Sequence, residues 1–238
     1  MIDIKQVTKT YNGSHKAVDD VSIQINSGEI VGFIGPNGAG KTTTIKMLTG
    51  ILKPDAGSIT LNDFNIIDQP IEAKKQFGYV SDDPNAFLKL KGIEYLNFIA
   101  DIYNVSEEDR HERMETYTRL LGMEAALNDK LLSYSHGMRQ KIMVIGVLIH
   151  NPYLLILDEP LTGLDPQSSY VLKETMKDHA KQGGAVFFST HVLEVAEKLC
   201  DKVVIINQGH IVYTGTLEAL KANYGQLSLE EIFLELTK

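Results

Sequence analysis

The segment that most constrains the fold is a glycine-rich loop between an apolar run and a helix-compatible segment. Apolar residues 30–34 precede the loop, and residues 42–48 can continue as a helix. Glycines let successive backbone N–H groups curl around a phosphate, and the helix N-terminus adds a positive dipole end. The loop fits G-x-x-x-x-G-K-[ST], the phosphate-binding P-loop. It comprises Gly35, Pro36, Asn37, Gly38, Ala39, Gly40, Lys41, Thr42 and Thr43.

Two side chains of this loop are predicted to act on a nucleoside triphosphate. We expect Lys41 to reach the β- and γ-phosphates and the Thr42 hydroxyl to ligate Mg²⁺. A simple glycine-rich turn before a helix is the competing interpretation. The strand-like run before the loop and the helix after it favour the phosphate-binding interpretation.

A second apolar run ends in two carboxylates. Residues 154–157 are Leu-Leu-Ile-Leu, and Asp158 and Glu159 follow directly. Continuous apolarity suits a central parallel strand covered on both faces, and open α/β sheets bind ligands at the carboxyl ends of their strands. We expect Asp158 to hold Mg²⁺, through water, and Glu159 to orient or deprotonate the attacking water. A strand followed by an acidic turn is the alternative, and the P-loop upstream favours catalysis.

The segments on either side of this strand resemble a known family. Residues 133–141 read SYSHGMRQK, and the runs Gly-Leu-Asp at 163–165 and Ser-Thr-His at 189–191 follow the acidic strand. This order of P-loop, signature, acidic strand, aspartate loop and switch histidine resembles the ATP-binding subunit of an ABC transporter. The resemblance covers about residues 3–220.

The resemblance implies a site shared by two copies of the chain. In the family two copies pack head to tail, and each signature caps the γ-phosphate held by the other copy's P-loop. This chain has His136 and Met138 where the family usually has glycine and glutamine. This departure resembles a group of bacterial subunits that work with separate membrane proteins, and it favours export. The signature comprises Ser135, His136, Gly137 and Met138. Ser135 is also a favourable helix N-cap, and both roles can hold together.

The resemblance also assigns roles to two residues beyond the acidic strand. Asp165 matches the family residue that crosses between the copies. His191 matches the switch histidine, which donates to the γ-phosphate and holds Glu159 and the water in place. An ordinary solvated loop histidine is the alternative for His191.

Two further positions depend on the resemblance. Tyr11 matches an N-terminal aromatic that stacks on adenine, and a surface tyrosine on an edge strand is its alternative. Asp82 follows the predicted strand 77–80, where the family usually has a glutamine that touches Mg²⁺ and senses the membrane partner. A carboxylate there can bind Mg²⁺ or its water but adds negative charge beside the γ-phosphate. A turn aspartate before Pro84 is the alternative for Asp82.

Composition limits the partners and the compartment. No run approaches the roughly 20 apolar residues that a bilayer span needs, and the first residues do not form a signal peptide. The single cysteine, Cys200, fits a reducing compartment and is predicted to pack in the core from a helix over 192–200 that also buries Val192. The net charge of −8 argues against nucleic acid as a partner. Together with the resemblance, this predicts a cytoplasmic protein, peripheral at the inner face of the membrane through integral membrane permease subunits.

The organisation of the motifs predicts an α/β fold: a P-loop NTPase core with an N-terminal antiparallel β subdomain and an inserted helical subdomain. We expect residues 1–238 to form one ABC-type nucleotide-binding domain, with helices over about 84–150 and a C-terminal helix over about 228–238. Ser106 is a favourable helix start, and Gly122 a stop. Ser228 and Glu231 form a capping box, and the apolar stripe of that last helix is expected to pack on its own domain.

The sequence therefore predicts a subunit that binds Mg²⁺ and ATP and hydrolyses ATP to drive separate membrane subunits. Its dimer partner would be a second copy or a related ATPase subunit. A soluble ABC-type ATPase without a transport role, such as an assembly or repair scaffold, is the alternative. A P-loop kinase or GTPase leaves the signature unexplained. The apolar run at residues 87–90 is predicted either to dock the membrane partner or to pack the helical core.

Overall fold

The fold contains two β-sheets, nine α-helices and two short 3-10 helices within residues 1–225 and 227–238, which the computed structural model describes. The strands are β1 (Ile2–Tyr11), β2 (His15–Ile25), β3 (Ile30–Ile34), β4 (Ala56–Leu61), β5 (Phe64–Asn65), β6 (Phe77–Val80), β7 (Leu154–Asp158), β8 (Ala185–Thr190), β9 (Lys202–Asn207) and β10 (His210–Gly215). The helices are α1 (Lys41–Leu48), α2 (Pro70–Lys74), α3 (Gly92–Ile102), α4 (Glu107–Leu120), α5 (His136–Ile149), α6 (Pro166–Lys181), α7 (Leu193–Leu199), α8 (Leu217–Tyr224) and α9 (Leu229–Leu236).

The first sheet is antiparallel and has the strand order β2-β1-β4-β5. Alternating residues of β2 point to one face, which is why Val21, Ile23 and Ile25 are all buried. They pack in a shared core with β1, β4 and α1. This confirms the predicted antiparallel N-terminal region.

The second sheet places the two predicted phosphate-site strands near each other. Its strand order is β10-β9-β3-β8-β7-β6, and β3 and β7 each pair in parallel with β8. Every residue of β3, β7 and β8 is buried, as expected for central parallel strands covered on both faces. Because these strands run in the same direction, the segments that follow them meet at one edge of the sheet.

Helices α3, α4 and α5 lie between β6 and β7 in the chain. The α5 residues from Ile142 to Ile149 are buried, and α5 packs against α3, α4 and β6. Helix α4 begins after the N-cap Ser106, whose hydroxyl accepts a hydrogen bond from the Asp109 N–H, and it ends before Gly122, as predicted. The buried face of α5 therefore ties the helical segment to the parallel sheet.

The C-terminal helices pack on β9 and on Ile34 of β3. Residues 207–210 form a hairpin turn between β9 and β10. Ser228 and Glu231 form the predicted capping box of α9. The α9 side chains Leu229 and Ile232 are buried against β9 and α8, so the stripe packs on its own chain.

The prediction for the helix before β9 was partly wrong. Helix α7 spans Leu193–Leu199, so Val192 is its N-cap and Cys200 its C-cap. Val192 is 43% exposed, because an N-cap precedes the helical repeat that would turn the side chain inward. Cys200 does pack against the core, and a Cβ atom added at Gly32 would lie 2.5 Å from its Sγ. Burial raises the pKa of the Cys200 thiol to about 12.

One partly buried histidine makes the stability of this fold depend on pH. The His150 ring stacks on Tyr103 with centroids 3.7 Å apart. Burial, and then the charge of Arg113, lowers the pKa of His150 to about 4 from an ordinary 6.5. The unfolded chain therefore takes up this proton as the pH falls from 6.5, whereas the folded chain takes it up only near pH 4.

We expect stability to fall as the pH decreases through that window, with His150 contributing about 3 kcal/mol of the loss. His150→Phe keeps a ring against Tyr103 and removes the titrating group, so its stability should depend less steeply on pH. Urea unfolding of both chains at pH 4.5 and pH 7 measures the difference. Equal losses in the two chains would contradict the assignment.

Candidate nucleotide-binding site

The P-loop connects the carboxyl end of β3 to the N-terminus of α1. Gly38 and Gly40 have φ angles of 80° and 112°, which residues with a Cβ atom rarely adopt. A Cβ atom at Gly35 would lie 2.4 Å from the Ile206 carbonyl oxygen of β9. The loop therefore needs glycine at these positions to curl between the strand and the helix.

A cavity of about 210 Å³ lies over this loop. Its walls come from the loop, the start of α1, β2, the segment after β6 and the end of β7. They comprise Ala17, Asn37, Gly38, Gly40, Lys41, Thr42, Thr43, Asp82, Asp158 and Glu159. Of the other predicted loop residues, Gly35 and Pro36 contact Lys41 through their carbonyls, and Ala39 is buried.

Lys41 is a buried cation beside two carboxylates. Its Nζ donates to the Gly35 carbonyl at 2.6 Å and to the Pro36 carbonyl at 3.2 Å. Burial lowers the pKa of Lys41, and the charges of Glu159 and Asp158 oppose that shift. The positive charge is therefore held at the cavity by the loop's own backbone.

The Ser189 hydroxyl links the two carboxylate residues of β7. Asp158 pairs with Ser189 across the parallel strands β7 and β8. The hydroxyl donates to Asp158 Oδ1 at 2.5 Å and accepts from the Glu159 N–H at 2.9 Å. The sequence alone led us to assign no role to Ser189. The feature that could have indicated one is its position at the end of an apolar strand, two residues before His191.

Glu159 has a left-handed backbone and a histidine partner. Its φ angle is 50°, which is uncommon for a residue other than glycine and is found in switch and active-site residues. His191 Nδ1 lies 2.9 Å from Glu159 Oε2. The turn after β7 thus brings the predicted base, which lines the cavity, into hydrogen-bond contact with the predicted switch histidine. His191 itself is not among the described residues that line the P-loop cavity, and it lines a neighbouring cavity with Glu159.

A sequence profile of the family described as "ABC transporter" matches residues 18–162. The ABC transporter ATP-binding protein NatA of Bacillus subtilis is 35% identical over 92% of this chain and 89% of its own length. EcsA of the same organism, an ABC-type transporter ATP-binding protein, is 35% identical over 100% of this chain and 97% of its own length.

This chain belongs to the ABC transporter family. Within the family it is an ATP-binding subunit and an ATPase. The solved structure of an ATP-binding subunit of an ABC transporter superposes with a TM-score of 0.95, is 34% identical and covers 100% of both chains. A dimeric ATP-binding cassette, MJ0796, in a post-hydrolysis state bound to ADP and Pi has a TM-score of 0.81 at 25% identity, over 91% of this chain and 99% of its own.

The residues predicted to form the signature lie at the N-terminus of α5. Ser135 is the N-cap, and its hydroxyl accepts a hydrogen bond from the Met138 N–H. A Cβ atom at Gly137 would lie 2.6 Å from the Gly163 carbonyl oxygen, and one at Gly163 would lie 2.6 Å from the His136 ring. The signature is thus packed against the aspartate loop, and no signature residue is among the described residues that line the P-loop cavity.

Asp165 makes its contacts within its own chain. Its carboxylate caps α6 by accepting from the Ser168 N–H at 2.9 Å and from the Ser168 hydroxyl. Lys141 of α5 lies 2.9 Å from Asp165 Oδ2. The bonds from Ser168, followed by that from Lys141, hold the pKa of Asp165 well below its ordinary value. A crossing contact to a second copy remains a prediction.

Asp82 and Tyr11, whose predicted roles depended most on the resemblance, lie in different places relative to the cavity. Asp82 lines the cavity. Tyr11 is at the end of β1, paired with His15, and the residue is 39% exposed. Tyr11 is not among the described cavity-lining residues, so its stacking on adenine stays a prediction.

The cavity contains an oxygen suited to a divalent cation. Asp158 Oδ2 is buried and has no hydrogen-bond partner among the described residues. Burial raises the pKa of Asp158, and the Ser189 hydrogen bond opposes this shift. An oxygen ligand is what Mg²⁺ requires, and Mg²⁺ is commonly held by one or two protein oxygens together with substrate phosphates. No group of three or more His, Cys, Asp or Glu side chains in the described chain forms a metal site by itself.

None of the helices in the described residues is long and apolar enough to cross a membrane.

Proposed function

We propose that this ATPase hydrolyses MgATP at the P-loop cavity, with Glu159 as the base and His191 as its positioning partner. The observation that carries the proposal is the 2.9 Å contact between His191 Nδ1 and Glu159 Oε2, because Glu159 lines the same cavity as Lys41. A general base must lie within hydrogen-bond reach of the proton that it removes, and positioning matters as much as basicity.

Each side chain at the cavity has a chemical role in this proposal. The P-loop amides and the α1 N-terminus bind the phosphates, and Lys41 adds a cation at the γ-phosphate. Thr42 and the unpartnered Oδ2 of Asp158 would hold Mg²⁺, which supplies charge neutralisation of the triphosphate when bound. Glu159 takes a proton from the attacking water. Ser189 keeps the Glu159 backbone in place through its hydrogen bond.

A second copy of the chain, or a related ATPase subunit, would complete the site. Three observations support this: the signature is at a helix N-terminus, it is away from the chain's own P-loop cavity, and the similar cassette MJ0796 is dimeric. Ser135 and the N–H groups that follow would bind the γ-phosphate of the partner's ATP. Tyr11 would stack on the adenine, and Asp165 would contact the partner.

We further propose that residues 1–238 act as one nucleotide-binding domain, peripheral at the cytoplasmic face of a membrane. ATP-driven closure of the dimer would power separate permease subunits, with export favoured by the signature departures at His136 and Met138. The segment at about 84–150 would transmit the motion as a helical subdomain, because it connects the cavity residue Asp82 to the signature.

The proposed contact surface for the permease is an exposed aromatic pair, Phe87 and Phe98. Phe87 is 46% exposed with a left-handed φ of 56°, and its ring centroid lies 5.6 Å from that of Phe98, which is 41% exposed. Leu88 and Leu90 pack partly against the helical core, so the predicted apolar run contributes mainly Phe87 to the surface. Exposed apolar patches often mark docking surfaces.

Glu159→Gln tests the chemistry. The amide keeps the size of the side chain but cannot accept the proton from water. We expect ATP binding to persist and steady-state hydrolysis to fall at least about 10²-fold. Wild-type turnover in the variant would contradict Glu159 as the base, and loss of ATP binding would point to a binding role.

Mixing two inactive variants tests the shared site. Ser135→Arg leaves a chain's own P-loop intact, and Lys41→Ala leaves its signature intact. In a mixed dimer one composite site carries both defects and the other carries neither. We therefore expect the mixture to regain hydrolysis that each variant lacks alone. Mixed dimers that stay inactive would favour sites complete within one chain.

Phe87→Asp tests the permease contact. We expect the variant to fold, to keep its ATP affinity and to lose co-sedimentation with membranes that contain the permease. Ile71→Asp in α2, a change at a side chain that is 66% exposed, is the matched control and should stay bound. If Phe87→Asp stays fully membrane-bound, docking lies elsewhere; if no membrane protein co-purifies with the wild-type chain, the transport role itself fails.

A further inference from the structure

Two adjacent aspartates follow β6, and only one of them has a structural role in the turn. Asp83 Oδ1 accepts hydrogen bonds from the Asn85 N–H at 3.1 Å and from Asn85 Nδ2 at 2.6 Å. This is the local side-chain bonding that makes aspartate common in turns. Asp82 accepts only a 3.2 Å hydrogen bond from its neighbour Ser81 within the described chain, and it lines the P-loop cavity. The turn therefore explains Asp83 and leaves Asp82 without a structural reason.

Asp82 adds negative charge to a cavity that already contains two carboxylates. Asp158 and Glu159 line the same space, where Lys41 supplies the ammonium group. The charge of Asp82 contributes to the raised pKa of Asp158, after burial, which is consistent with the two carboxylates acting on each other. Asp158 is 1% exposed, and its buried Oδ2 atom has no hydrogen-bond partner among the described residues. The phosphates of a bound nucleotide and these carboxylates would repel one another, and a cation between them would reduce that repulsion.

We propose that Asp82 makes nucleotide binding conditional on a divalent cation. Without the cation, its carboxylate repels the triphosphate; with the cation, the same carboxylate stabilises the complex, directly or through a metal-bound water. The proposal rests on the proposed function, because it assumes that the triphosphate binds in this cavity. A neutral glutamine, which the resemblance implies at this position, would lack the repulsion.

The affected quantity is the ratio of nucleotide affinity with cation to affinity without it. Two charges a few ångströms apart near a protein surface interact strongly enough to change an affinity by more than tenfold, and the exposure of Asp82 reduces that effect. We expect Asp82→Asn to lower the ratio about tenfold, mainly by tightening binding in the absence of the cation.

The experiment measures binding of a non-hydrolysable ATP analogue by calorimetry, once in Mg²⁺ and once in EDTA. Asp82→Asn and Asp82→Gln are compared with the wild-type chain. Asp83→Asn is the matched control: it removes the same charge one residue away, and its amide oxygen can still accept from Asn85. Titration of Mn²⁺ into each analogue-bound chain, followed by electron paramagnetic resonance, gives a direct metal affinity, which should weaken in both Asp82 variants.

A ratio that falls in both Asp82 variants but not in Asp83→Asn supports the proposal. An unchanged ratio in the Asp82 variants, or an equal fall in Asp83→Asn, overturns it, because the effect would then be absent or would come from net charge. If the wild-type chain binds the analogue in neither condition, the proposed function fails first, and this inference fails with it.

Discussion

The parallel pairing of β7 with β8 positions the chemical groups on which the rest of the site depends. In this register Asp158 lies beside Ser189, and one hydroxyl bonds both the Asp158 carboxylate and the Glu159 backbone. A shift of the strands by one residue would turn Ser189 to the opposite face of the sheet, because successive side chains alternate. The predicted cation ligand and the predicted base would then lose their common support.

The sequence was sufficient to predict the elements that depend on interactions between residues close together in the chain. Strands β3 and β6 have the predicted bounds, because short apolar runs bounded by turn residues are typical of buried strands. The caps at Ser106 and Ser228 were predictable because a serine hydroxyl satisfies N–H groups only a few residues away. The motif order also predicted the family, which the match to the ABC transporter family and the similarity to NatA confirmed.

The remaining features depend on contacts between distant parts of the chain, which periodicity does not encode. The bridging role of Ser189 requires the strand register, and the pairing of Asp165 with Lys141 requires the packing of α6 near α5. Asp82 and Asp83 are adjacent and chemically identical, and only the structure shows that Asp82 lines the cavity whereas Asp83 accepts a hydrogen bond from Asn85 in the turn. Val192 was misplaced because the start of a short helix is poorly determined by its apolar pattern.

The close contact of Gly137 with Gly163 has a mechanical consequence for a dimer with shared sites. Together with the Lys141–Asp165 ion pair, it joins the start of α5 to the loop that follows Glu159 in the same chain. In a head-to-tail dimer, the start of α5 faces one nucleotide and Glu159 faces the other. A displacement of the Glu159 loop at one nucleotide would therefore be transmitted, through a stiff backbone contact, to the start of α5 at the other nucleotide. The two sites of such a dimer would be linked through each protomer as well as across the interface.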